Sequence, residues 1–99
     1  MYERHDTNLG QLVYNALETY FEQHAGVLPS SGLYKRVLLE VERPLLFLTL
    51  KAVEGNQRKA AKVLGMNRNT LRKKLREHMQ NREGRAVLQQ FAEMGLKDL

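Results

Sequence analysis

Apolar positions recur at helical spacing along this chain, in stretches separated by short breaks. Leu9, Leu12, Val13, Ala16, Leu17, Tyr20 and Phe21 mark a first amphipathic helix that ends near His24. Asn8, with Gln11 three residues on, reads as a variant capping box at its start. Gly26 is the expected stop, and residues 1–7 are a short polar lead. The segment VLPSSG, residues 27–32, breaks the periodicity with Pro29, two serines and Gly32. Ser30 and Ser31 are the expected caps of the next helix.

Residues 33–54 predict a long second helix. Tyr34, Val37, Leu38, Val41, Leu45 and Leu48 form one stripe; Leu39, Leu46 and Leu50 form another, with Phe47 and Val53 beside them. After Pro44 the helix is apolar nearly all round, and such a helix is normally buried on most sides. Short neighbours within one chain cannot surround it, so a second copy is expected to. The candidate dimerisation residues are Leu12, Leu17, Phe21, Val41, Leu45 and Leu48. A monomer would leave an exposed patch prone to aggregation. Pro44 inside a helix removes a hydrogen bond and costs ~3 kcal/mol. Either the helix kinks there or a new one begins with Pro44 at its first position; the stripe stays in phase across it, which favours a kinked but continuous helix that Gly55 ends.

Residues 56–78 follow a different grammar. Ala61 lies four residues before Gly65, and Leu71 six after it. This is the spacing of a helix-turn-helix, whose second helix lies in the DNA major groove. Ala61 lets two helices cross closely, and Gly65 supplies positive φ at the turn. Asn67 is the expected N-cap of the second helix. Leu64, Leu71 and Leu75 face inward, and at ~100° per residue Asn69, Lys73 and Arg76 point away, with Arg72 beside them. Farther on, Val87, Leu88, Phe91 and Met94 predict a short helix over about 83–94, with a frayed tail as the alternative.

Charge sharpens this picture. The chain has 99 residues, 16 basic and 11 acidic, and a net charge of +5. The block at 56–78 holds eight of the basic residues against one acid, Glu77, so the positive excess sits there. A concentrated basic block on a helix-turn-helix pattern points to nucleic acid. Ninety-nine residues allow one domain at most, and a monomer of this size is marginal. It divides into a helical dimerisation region (8–55), a helix-turn-helix (56–78) and a tail (79–99).

The absence of cysteine excludes a disulfide framework. No apolar run is long enough for export or a membrane span, so a cytoplasmic, nucleoid location is expected. His5, His24 and His78 are scattered without ligand spacing, and His24 and His78 read as surface caps at helix ends. Glu40 and Glu42 point to different faces, and no Gly-rich phosphate loop exists. The expectation is no enzyme, no catalytic residue, no metal and no cofactor.

The motif GMNRNTLRKKL, within residues 55–77 and preceded by EVERPLL (40–46), closely resembles the Fis family. That family comprises the factor for inversion stimulation and the C-terminal DNA-binding domain of NtrC-type activators. The resemblance covers roughly residues 9–78 and is nearer the activator branch. It implies an all-α, four-helix domain with a C-terminal helix-turn-helix, forming an intertwined homodimer that bends DNA. By position, Asn67, Arg68, Asn69 and Thr70 open the recognition helix, and Arg68 would read guanine. Asn56, Thr70, Arg72, Lys73, Lys74 and Arg76 would hold backbone phosphates. Asn69 stands where the enterobacterial protein has glycine. Only about eight residues precede the first helix, so a role in recombination is not supported.

The leading expectation is a DNA-binding and DNA-bending homodimer, a bacterial transcriptional regulator or nucleoid protein. The alternatives are a protein-interaction module, with a partner held by the C-terminal tail, or an excised domain of an NtrC-type activator. Met1 favours a whole gene product over an excised domain. RNA is disfavoured, because no aromatic platform accompanies the basic block.

Overall fold

The computed structural model describes residues 8–24, 27, 29–80 and 82–93, and every regular element among them is a helix. The helices are α1 (Leu9–Gln23), α2 (Leu33–Ala52), α3 (Gln57–Leu64), α4 (Arg68–His78) and α5 (Arg82–Glu93). None of the helices among the described residues is long and apolar enough to cross a membrane. The fifth helix lies where the tail's apolar spacing predicts one. The side chains of Val87, Leu88 and Phe91, and all of Met94, fall outside the described residues. The described chain divides into two units. One contains α1; the other contains α2 from residue 35 onward, α3, α4 and α5.

The start of α1 is set by its cap. Asn8 Oδ1 accepts the Gln11 N–H at 2.9 Å, which satisfies one of the orphan donors of the first turn. Gln11 turns its own amide forward to Asn15 Oδ1, at 3.0 Å, so the box forms on one side. His24 caps the other end, with Nδ1 2.7 Å from the Tyr20 carbonyl oxygen. The expected stop at Gly26 lies outside the described residues. No side chain of α1 is buried.

The residue directly before α2 is Gly32, at φ +84°, so Ser30 and Ser31 lie outside the capping position expected of them. The helix then runs unbroken through Pro44. Proline leaves the Glu40 carbonyl without its helical donor, at ~3 kcal/mol. Leu46, Phe47 and Leu50, all at or below 3% exposure, outweigh that cost at about 1.5–3 kcal/mol for each buried side chain.

Those three residues close one core with Ala60, Ala61, Leu71 and Leu75 of α3 and α4, and Val53, Leu64 and Met66 pack around it. The two stripes of α2 thus part company. Of the second stripe Leu46 and Leu50 are inside, whereas Leu39 is exposed; Tyr34, Leu38, Val41, Leu45 and Leu48 are all exposed, Leu48 by 63%.

The end of α2 departs from expectation. The helix stops at Ala52, and the left-handed residue is Glu54, at φ 55°. Its N–H donates to the Lys51 carbonyl at 3.1 Å, and the Gly55 N–H donates to Leu50 at 2.8 Å. That pair of bonds is a Schellman stop with glutamate in the place glycine usually takes. Gly55 comes next, at φ 83°, and leads into α3.

Candidate nucleic-acid interface

α3 and α4 are joined by residues 65–67, and each residue of the joint has a distinct task. Asn56 caps α3 by accepting the Lys59 N–H at 3.0 Å. Gly65 ends α3 at φ 77°, donating to Lys62, while the Met66 N–H donates to Ala61 at 2.9 Å. This is again a Schellman stop, here with the glycine that positive φ favours. Asn67 then caps α4, accepting the Asn69 N–H at 2.7 Å. Leu71 and Leu75 seat α4 on the core, and Ala60 and Ala61 allow the close crossing of α3.

With that face fixed, the opposite face of α4 is open. Asn67, Arg68, Asn69, Thr70, Arg72, Lys73 and Arg76 are all exposed, as is Asn56 at the start of α3. A groove of about 460 Å³ runs between the two helix starts, lined by Gly55, Asn56, Gln57, Arg58, Arg68 and Arg72. Guanidinium groups stay protonated at any working pH, and the N-terminal end of a helix adds partial positive charge. The groove therefore suits an anion. Arg58 belongs to this surface, although in the sequence it stands out only as charge. Its place in the turn after Asn56 is the signal that finds it.

Lys74 differs from its neighbours. Its Nζ lies 2.9 Å from Glu42 Oε2, so a lysine expected on phosphate is paired here with a carboxylate of α2. His78, expected as a surface cap, is instead 2% exposed, with Nε2 2.9 Å from Glu42 Oε1. Both positions are legible afterwards. His78 falls seven residues after Leu71 and three after Leu75, on the inward seam. Glu42 falls four before Leu46, on the inward stripe of α2. Burial opposes charge on Glu42, but the bonds from His78 and Lys74 and the Lys74 charge outweigh it. The carboxyl is held below its ordinary value. One residue on, Arg43 is nearly buried and reaches Glu40 at 3.2 Å.

The candidate dimerisation residues lie open. Leu12, Phe21, Val41, Leu45 and Leu48 are exposed by 40–63%, and Leu17 is half-buried. Among the described residues, no three metal-ligating side chains come together.

Comparison with known proteins agrees with this geometry. The family described as bacterial regulatory protein, Fis family, matches residues 38–78, from the second turn of α2 to the end of α4. A DNA-binding transcriptional regulator NtrC of Azospirillum brasilense is 58% identical over 69 residues, 70% of this chain. The matched stretch is only 14% of that regulator's length. A Fis-like DNA-binding protein of Neisseria meningitidis is 46% identical over 71 residues, which cover 72% of this chain and 89% of that protein. The DNA-binding protein Fis of Yersinia enterocolitica is 48% identical over 69 residues, 70% of this chain and 69% of its own. A match of such identity across nearly the whole of a small relative leaves one conclusion: this chain belongs to the Fis family of bacterial regulatory proteins.

Proposed function

We propose that this chain binds double-stranded DNA as a homodimer, bends it, and regulates transcription or organises the nucleoid. The observation that carries the reading is the basic, solvent-facing side of α4: with Leu71 and Leu75 seated on the core, Arg68, Arg72, Lys73 and Arg76 are left exposed. The relatives' names point the same way. Arg68, in the first turn, reaches a guanine edge in the major groove, because its planar fork matches the two acceptors there. Asn67, Asn69 and Thr70 flank it. Asn56, Thr70, Arg72, Lys73 and Arg76 hold phosphates on either side. Two copies joined through Leu12, Leu17, Phe21, Val41, Leu45 and Leu48 present two such helices to one duplex. Bending then makes the deformability of the site part of its specificity.

Fluorescence anisotropy with duplex oligonucleotides tests this. Affinity is expected to fall steeply with salt, as phosphate contacts release counterions. Arg68→Ala is expected to cost ~1–3 kcal/mol at a selected site and to relax preference at one base position. Equal weakening at selected and scrambled duplexes would remove Arg68 from base reading.

A second reading is favoured by the 58% identity to a stretch of NtrC. In it, the chain is the DNA-binding part of a larger activator. Immunoblotting the source cells decides, since that reading requires a polypeptide much longer than 99 residues.

A further inference from the structure

Recognition of DNA asks for cations free to reach the duplex, and the Lys74 ammonium is paired with a carboxylate of α2. At ~100° per residue it stands beside the Leu71–Leu75–His78 seam, whereas Lys73 and Arg76 stand opposite. It is drawn toward α2 by Glu42, whose two carboxylate oxygens each hold one group of α4: His78 Nε2 and Lys74 Nζ, both at 2.9 Å. His78 is 2% exposed, so water cannot replace this bond if it breaks. The Glu42 and Lys74 side chains retain only 25% and 34% exposure. A Lys74 that swung out to a phosphate would leave a partly desolvated carboxylate behind, with His78 alone against it.

We propose that Glu42 is a positioning residue for the recognition helix: it fixes α4 on α2 through His78 and withholds the Lys74 ammonium from the DNA backbone. The proposal rests on the DNA-binding reading. Its consequence is quantitative. Each phosphate neutralised by a cation contributes about 0.9 to the slope of log affinity against log salt. Lys73 contributes that share and Lys74 does not. Replacing Glu42 by glutamine keeps an acceptor for His78 but removes the charge that holds Lys74. The freed lysine then becomes an additional phosphate contact.

The test is the salt slope of duplex binding by the full chain, with helix content checked by circular dichroism. Lys73→Ala is expected to flatten the slope by about 0.9 for each bound copy. Lys74→Ala leaves it unchanged. Glu42→Gln steepens it by about the same amount, and Glu42→Gln combined with Lys74→Ala restores the parent value. Glu42→Ala, which also strips His78 of its partner, is expected to lower the ratio of affinities for selected and scrambled duplexes, whereas Glu42→Gln preserves it. A Lys74→Ala slope as flat as that of Lys73→Ala overturns the proposal while leaving DNA binding intact. An unchanged ratio in Glu42→Ala overturns the positioning role. A parent chain whose duplex binding ignores salt overturns the DNA-binding reading, and the proposal with it.

Discussion

The helix-turn-helix and the outer stripe of α2 meet the same requirement in opposite ways. Around the helix-turn-helix, Leu46, Phe47 and Leu50 of α2 enclose Ala60, Ala61, Leu71 and Leu75, and the apolar surface is closed within one chain. Along the other side of the same helix, Leu38, Val41, Leu45 and Leu48 stay open, and α1 buries no side chain at all. One apolar helix thus carries a stripe closed into a core and a stripe left open. Exposed apolar surface on that scale marks an interaction site. The proposed partner is a second copy, which would also set the two recognition helices at a fixed spacing.

Paired substitutions on the two sides of α2 break that comparison most sharply. Leu48→Lys places a charge in the proposed interface of each copy, at about 3–5 kcal/mol per uncompensated charge. It is expected to sediment as a single-copy species. Leu50→Ala hollows the closed core and is expected to cost about 2–5 kcal/mol in chemical denaturation while leaving the association state unchanged. If Leu48→Lys sediments as an intact dimer, the open stripe is not the dimer seam.

The next effect is smaller and depends on pH. Glu42 ties the closed core to α4, and its folded carboxyl titrates below the ordinary value of 4.5. A depressed carboxyl stabilises the fold above its unfolded pKa and loses that contribution as the pH falls through the folded one. The denaturation midpoint is therefore expected to decline below about pH 4.5, and Glu42→Gln to flatten part of that decline. Identical acid profiles for parent and variant would show that the bracket contributes nothing to stability.

The parts of the molecule governed by period and backbone geometry were legible in the sequence. Leu71 and Leu75 face inward, Gly65 turns left-handed, and Asn8 and Asn67 cap, because each depends on spacing or on local hydrogen bonding. The two stripes of α2 were legible as stripes, but which of them faced α3 and α4 was not, since both carry leucine at helical spacing. Polar groups on inward positions were the other blind spot. Glu42 and His78 lie 36 residues apart and become partners only once the helices cross. Lys74 could not be separated from Lys73 by charge; only its angle about α4 distinguishes them. In the candidate site, the open face of α4 was readable and the bracket behind it was not.

The smallest effect concerns the two helix stops. α3 ends on Gly65 at φ 77°, whereas α2 ends on Glu54 at φ 55°. A side chain in the left-handed region costs roughly 1–2 kcal/mol, and glycine there gives back about half of that through its greater freedom in the unfolded chain. Glu54→Gly is therefore expected to stabilise the closed core by about 0.5–1 kcal/mol. The gain should appear in denaturation of the helix-turn-helix and be absent from the dissociation constant of the dimer. The turn at Glu54 is bonded through Gly55 to the carbonyl of Leu50, whose side chain is in the closed core. If the substitution changed association as much as stability, the two sides of α2 would be coupled and the division drawn between them would fail.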